Sequence, residues 1–343
     1  MRRIELSHGA GGKDMASLIK NFILKHFGNG ESEVPLHALD DSAVIDGIVF
    51  TTDSHTVQPV FFPGGDIGKL AVAGTVNDIA ALGAMPIAMA SAMVIEEGFP
   101  AEKFEEIIKS MASVAREAGV EIVTGDTKVV ERGGIKDIVV TTSALGKESK
   151  WLRRNFEIAE RNGRWLLDSM LKPGDKIIIN GSIADHGIAI ISKREGYGFE
   201  GSVVSDVAPL NGLMEEALKE GGIVAAKDAT RGGIANALNE MAEKSGVGII
   251  IYEERIPINE ATLAACEMLG LDPLTIGNEG KMLLGVVREK ADDVLKAIRR
   301  HKYGRKAEII GEVIEGKNVI METNVGGKRI IDVPIGDPIP RIC

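Results

Sequence analysis

One stretch restricts the fold more than any other. Asp66 precedes a helix-forming window, KLAVAGTVNDIAALGA, with Gly83 near its end and Pro86 beyond it. Asp is a favoured helix N-cap, and Gly and Pro are favoured stops, so the window reads as a helix. The apolar run PIAMASAMVI (86–95) follows at once and reads as a buried strand. Pro100 then opens a second helix, with Phe104, Ile107, Ile108, Met111 and Val114 on one face and Gly119 at its end. VIDGIVF (44–50) is a hairpin around an Asp-Gly turn, and EIVTG and DIVVTTSALG are strands. Helices alternating with strands require a layered, mixed α/β domain. It closes near residue 146.

Residues 147–172 are charged, with a few large apolar side chains, and read as a helical connector. A second α/β domain, 173–310, begins at LKPGDKIIINGS. It holds helices near 208–219 and 233–244, strands near 222–226 and 247–252, and the strand and helix of MLLGVVREKADDVLKAIRRH. β-rich pieces over 311–343 lead to a tail, DPIPRIC, ending in Cys343.

The 343 residues suffice for about two domains. A formal net charge of -10 argues against a nucleic-acid binder and suits a site that holds metal ions. The longest apolar run is far short of the roughly 20 residues that span a bilayer. No secretory signal is visible, and the two cysteines form no disulfide framework, so a cytoplasmic location and no membrane are expected.

Acidic residues recur where strands meet loops: Asp40 and Asp41 in ALDDSAV, Asp53 in FTTDS, Asp78 after Asn77 in TVNDIAA, and Asp126 in VTGDTK. Hard cations such as Mg²⁺ take oxygen ligands and share them with phosphates. Any one such Asp is equally well a cap or a turn, so metal ligation and turn formation both stay open here. SHGAGGK offers Gly11, Gly12 and Lys13 as a phosphate-cradling loop, though GxxxxGK[ST] and GxGxxG are both absent. In the second domain His186, Asp228, Arg231 and Glu279 stand beside predicted helix or strand starts. Cys266 falls on the apolar side of a predicted helix and reads as core. Cys343 reads as exposed. Pro338 and Pro340 stiffen the tail, and the seven residues from Asp337 would make an arm of roughly 20 Å.

SHGAGGK, DDSAV, TTD, VNDIAALGAMP, GDTKVV, DHGIAI, DATRGG, GNEG and the terminal PRIC occur in one order along the chain. Together they resemble the HypE family of hydrogenase maturation proteins, within the aminoimidazole ribonucleotide synthetase-like (PurM-like) superfamily. The connector is the main departure. The resemblance implies a PurM-like fold: an N-terminal ATP-binding domain that forms a dimer sheet or barrel, a C-terminal α/β domain and a flexible tail. It implies a homodimer, ATP and Mg²⁺ as cofactors, HypF as carbamoyl donor and the HypC–HypD complex as acceptor. The activity implied is ATP-dependent dehydration of S-carbamoyl-Cys343 to a thiocyanate, which supplies cyanide for [NiFe]-hydrogenase. ATP contacts would fall to Gly11, Gly12, Lys13, Thr52, Asn77, Asp228 and Arg231. Metal contacts would fall to Asp40, Asp41, Asp53, Asp78 and Asp126. The chemistry asks Lys128 to stabilise the attacking oxygen, and His186 or Glu279 to serve as base. A PurM-like small-molecule kinase or synthetase and a non-catalytic, ATP-responsive scaffold are the competing readings.

Overall fold

The computed structural model describes residues 3–9, 11–27, 32–199, 201–336, 338, 339 and 341–343. A short helix, α1 (Gly12–Leu18), precedes the hairpin of β1 (Ala43–Ile45) and β2 (Ile48–His55). Asp46 and Gly47 take φ values of 51° and 73°, the left-handed pair that lets a two-residue turn match strand twist. Two short strands, β3 (Phe61–Phe62) and β4 (Gly65–Asp66), lead to α2 (Ile67–Ala81). Asp66 caps α2 by accepting from Gly68 N at 2.7 Å and Lys69 N at 3.1 Å.

β5 (Ala84–Glu96), α3 (Ala101–Ala118), β6 (Ile122–Val130) and β7 (Ile138–Glu148) complete the first unit. Its sheet runs β1-β2-β7-β5-β6. The β5–β6 pair is parallel, as a crossover through α3 requires, and the other pairs are antiparallel. Ile107, Met111 and Val114 of α3 are buried, in keeping with their spacing. β5 corrects the expectation of a fully buried strand. Met89 is 1% exposed but Ile87, two residues earlier, is 43% exposed, because a shift of register between Pro86 and Ala88 breaks the alternation of faces there.

The connector is helical only over α4 (Leu152–Ala159), with a 3-10 turn at Asp168–Met170. Glu160 at φ 51° ends α4. A Cβ on Gly163 would lie 2.5 Å from Met170 and 2.8 Å from Phe156, so the chain folds back on α4 instead of continuing it.

The second unit holds β8 (Lys176–Ile179), α5 (Asp185–Glu195), α6 (Asn211–Glu220), β9 (Ile223–Asp228) and α7 (Gly233–Ser245). β10 (Gly248–Tyr252), α8 (Glu260–Leu269), β11 (Met282–Val286), α9 (Ala291–Arg300) and β12 (Glu308–Ile314) follow. β13 (Val319–Glu322) and β14 (Lys328–Ile330) extend the same sheet, ordered β14-β13-β10-β12-β8-β11-β9. β12 crosses position 311, so the β-rich end is continuous with the second sheet.

α2 is apolar or small nearly all round because it packs against both the first sheet and, on its other side, β9 and α6. It is shared between the two units, and the site forms beside it. No helix among the described residues is long and apolar enough to cross a membrane.

Candidate active site

A cleft of about 230 Å³ opens where the two units meet. The first unit contributes Asp41, Asp53 and Asp78, with Thr51 and Thr52; the second contributes Asp228, Arg231 and Glu279. Cys343 completes the lining. The topology explains the convergence. Asp53 is on β2 facing α2, Asp78 on α2, Asp228 at the end of β9, and Arg231 and Glu279 in the loops before α7 and β11. The volume is below the usual ligand-pocket range of roughly 300–1,000 Å³, so it suits a polyphosphate better than a whole nucleotide.

The acids are not equivalent. Burial, then Asp228, Asp53 and Asp41, push Asp78 well above the ordinary carboxylate range; the Thr51 hydroxyl, donating to Asp78 Oδ2 at 2.8 Å, offsets this only in part. Burial and Asp41 do the same to Asp228, against Lys227 and Arg231. Glu279 is raised by burial and by Asp228, Asp53 and Asp206, and its Oε1 is buried with no hydrogen-bond partner. Asp53 goes the other way. Burial opposes its ionisation, but His55, 3.2 Å away and poorly aligned for a hydrogen bond, outweighs that with Arg231 and holds the carboxyl low. Gly74 makes room for the pair, since a Cβ there would lie 3.1 Å from His55 Nε2. Arg231 is shifted upward, first by its charge interaction with Cys343 and then, against burial, by Asp53, Glu279 and Asp228.

Several predicted residues have partners of their own. Asp41 Oδ1 pairs with Lys227 Nζ at 2.8 Å; Lys227 also lies 3.1 Å from Asp168, which accepts from Lys244 at 2.7 Å. Asp40 is outside the cleft, where its Oδ1 accepts from Asp168 N at 3.1 Å. This buried ionic network ties the connector to the cleft. Sequence reading missed Lys227, Lys244 and Asp168; the only local signal is that Lys227 precedes Asp228. Asn77 is likewise a brace between units. Its Nδ2 donates to Ala208 O at 3.1 Å and Glu279 O at 3.3 Å, while Oδ1 accepts from Leu210 N at 2.8 Å. Gly11 packs against Arg231 at the rim, and Lys13 is exposed and donates its N–H to Pro334 O at 3.1 Å.

Asp126 and Lys128 are not in this cleft. Asp53 pairs in register with Thr142, whose hydroxyl donates to Ala71 O of α2 at 3.0 Å. Asp126 belongs to the next row, Ser54–Thr141–Ala92–Asp126, which faces away from α2. Lys128, two residues on, shares that face, and the exposed pair bond each other. GDTK was read as a strand-to-loop junction, whereas the strand runs through it.

The tail differs most from expectation. Pro340 and Asp337 lie outside the described residues, but the rest of the end is docked. Ile339 and Ile342 are each 1% exposed. Thr56 N donates to Cys343 O at 3.0 Å and Gln58 N to Arg341 O at 3.2 Å, as in an added strand. Arg341 does not reach the acids; its Nε donates to Thr56 O at 3.1 Å. His186 is fully buried on α5, with Nε2 2.7 Å from Ile342 O and Nδ1 2.8 Å from Ser205 Oγ. A carbonyl can only accept, so Nε2 carries the proton and Nδ1 takes the Ser205 hydroxyl. Burial further favours the neutral ring. Both nitrogens are committed, so His186 holds the tail and has no free lone pair for the base role. Cys266 is buried on α8, where burial and then Asp272, Asp185 and Glu267 push its thiol up to about 11.

Among the described residues, no group of three or more Asp, Glu, His or Cys side chains forms a ready-made metal cage. The carboxylates of Asp41, Asp78 and Asp228 nonetheless fit a hard cation that brings phosphate oxygens with it, because their mutual repulsion is the charge such an ion would relieve.

Known proteins are similar to this chain. Residues 39–147 match the AIR synthase related protein, N-terminal domain, and 172–324 the corresponding C-terminal domain. The chain is 46% identical to the carbamoyl dehydratase HypE of Rhizobium leguminosarum bv. viciae, over 99% of this chain and 95% of that one. It is similar to the solved HypE–HypF complex (TM-score 0.85, 46% identity, 93% of this chain and 100% of that one). It is also similar to HypE in complex with ATP (TM-score 0.80, 38% identity, 99% and 100%). On these matches the chain belongs to the HypE family of hydrogenase maturation proteins, built from the two AIR synthase related domains.

Proposed function

We propose that this protein dehydrates a carbamoyl group carried on the Cys343 thiol to a cyano group at the expense of ATP, for hydrogenase maturation. The observation that carries the reading is that Cys343 lines the same cleft as the acids and Arg231. The names of its relatives, a carbamoyl dehydratase and a HypE that binds ATP, support it.

The amide oxygen is a poor leaving group; phosphorylation by ATP makes it a good one. The S–C bond is kept, the C–O bond breaks with the oxygen leaving on phosphate, and the nitrogen gives up two protons. The products are the thiocyanate, ADP, phosphate and a proton. Asp41, Asp78 and Asp228 are the candidate holders of Mg²⁺, which supplies charge compensation when bound. Arg231 is placed for a phosphate oxygen. Glu279 is the base: it lines the cleft, its Oε1 is buried without a hydrogen-bond partner, and its raised pKa makes the ionised form a stronger base than an ordinary glutamate. Asp126 and Lys128 face away from this cleft, so any role for them needs a second copy of the chain. Phe50 and Leu145, exposed on that open face, and Val123 and Val129 on edge strand β6 favour a homodimer. HypF as carbamoyl donor, the HypC–HypD complex as acceptor and a cytoplasmic location belong to the same reading.

The test is to incubate protein carbamoylated at Cys343 with Mg-ATP and weigh its C-terminal peptide. Loss of one water, with ADP formed, is expected. An unchanged mass leaves only a scaffold, and turnover of a free substrate without the tail points to a small-molecule kinase.

A further inference from the structure

Glu279 Oε1 is buried with no hydrogen-bond partner, so no bond at that atom fixes where it sits. The backbone around it is fixed instead. Glu279 N donates to Asp206 Oδ1 at 3.1 Å, and Glu279 O accepts from Asn77 Nδ2 at 3.3 Å. Asn180 holds the residues that follow: its Nδ2 donates to Gly280 O at 3.0 Å and its Oδ1 accepts from Met282 N at 2.8 Å. Asp206 is itself locked. Its Oδ2 lies 2.8 Å from Lys281 Nζ, with only 9% of the lysine and 5% of the aspartate side chain exposed. Lys281 Nζ also donates to Gly280 O at 3.1 Å. The packing leaves no slack, since a Cβ on Gly280 would lie 2.0 Å from Asp206 O.

We infer that Asp206, locked by Lys281, is a positioning residue for the dehydration, which sets the backbone of Glu279 and through it the place of that carboxyl in the cleft. It touches no reacting atom. The inference rests on the reading of Glu279 as base. A carboxylate accepts from a backbone N–H more strongly than a neutral oxygen does, and a buried carboxylate needs a counter-charge of its own, which Lys281 supplies. Misplacing a catalytic group by about 1 Å can cost about a hundredfold in rate.

The test follows water loss from protein carbamoylated at Cys343 as Mg-ATP is varied, which gives a maximal rate and a half-saturating ATP concentration. Two double variants are compared with the parent. Asp206→Asn with Lys281→Met removes both charges but keeps an oxygen for Glu279 N. Asp206→Leu with Lys281→Met removes that oxygen too. The second should fall about a hundredfold in maximal rate with half-saturation unchanged, and the first should lose far less. Exchange of the Glu279 amide hydrogen, read on the peptide that contains it, should quicken in the second variant only. Asp206 also acts on His186 through its charge, so Cys343 labelling by a thiol reagent is followed in a Cys266→Ala background. Labelling should match the parent in both variants. Equal maximal rates in the two variants overturn the inference, and so does a rate loss that comes with faster labelling. If the leucine variant fails to fold, Gly280→Ala decides: it keeps the ion pair but pushes the turn off Asp206, and a parental rate there overturns the inference. A parental rate in Glu279→Gln would instead remove the base reading, while amide exchange would still show whether Asp206 holds the turn.

Discussion

His186 Nε2 lies 2.7 Å from the carbonyl oxygen of Ile342, the residue before the terminal cysteine. A fully buried imidazole on α5 therefore holds the segment that carries Cys343 and is not the group that takes a proton from the reaction. Its Nδ1, bonded to Ser205 Oγ at 2.8 Å, sets which tautomer does so. Ser205→Ala removes that donor and allows the ring to present a lone pair to the carbonyl. Cys343 labelling should rise in Ser205→Ala while the fold, followed by circular dichroism, stays intact. Unchanged labelling would show that Ser205 does not set the tautomer.

Asp78→Asn removes one charge from the candidate Mg²⁺ site while keeping an acceptor for the Thr51 hydroxyl. ATP hydrolysis should fall by about two orders of magnitude, as for a lost metal contact. Stability should not fall, because repulsion with Asp228, Asp53 and Asp41 is relieved. Full Mg-dependent hydrolysis in this variant would remove Asp78 from the site.

The same residue predicts a pH effect. Asp78 keeps its proton to higher pH in the folded chain than in the unfolded one, so the folded state binds more protons across that window. Its contribution to stability is complete below the ordinary carboxylate pKa of about 4 and is lost as pH rises through the raised value. Asp228 and Glu279 act in the same sense. Asp53, held low, acts in the opposite sense and loses its contribution on acidification. With chelator present, wild type should therefore lose stability relative to Asp78→Asn as pH rises above the ordinary carboxylate range. Denaturant melts at several pH values measure the difference; a flat difference contradicts the raised pKa.

Lys227 is 6% exposed and serves Asp41 and Asp168 at 2.8 and 3.1 Å. Lys227→Met leaves those carboxylates without their shared cation and should cost about 3–5 kcal/mol. Adding Asp168→Asn should recover part of the loss. If the single variant melts like wild type, the network adds nothing to stability.

Asn77→Leu keeps the volume of a brace but leaves Leu210 N, and the carbonyls of Ala208 and Glu279, without their partner. Destabilisation of about 2 kcal/mol is expected. Hydrolysis should also fall, because Glu279 is held through its own backbone. Wild-type stability in this variant would show that the units dock without it.

Much of the fold was legible because it depends on local rules. The Asp66 cap, the Asp46-Gly47 turn, the i, i+3, i+4 face of α3 and the glycine stop at 119 each act within a few residues, and each is present in the structure. The connector was misread because its reversal at Gly163 depends on Phe156 and Met170, not on propensity. Motif order likewise marked Asp53, Asp78, Asp228, Arg231 and Glu279, which lie on separate elements yet line one cleft.

What only the tertiary structure decided is direction and company. One step of strand alternation sends Asp53 toward α2 and Asp126 away from it, and no spacing shows which face a second layer covers. Asp40, Asn77 and His186 have the right chemistry for a site, but long-range partners (Asp168, Leu210 and Ile342) commit their polar atoms elsewhere. The tail carried a readable sign in Ile339 and Ile342, apolar residues in an end taken as solvated. The notch that receives Ile342 is formed by Gly277, 65 positions earlier, and nothing in the sequence alone brings them together. Sequence determines residue type and local geometry; the burial that turns a polar atom into a clamp, a brace or a base exists only once distant segments pack.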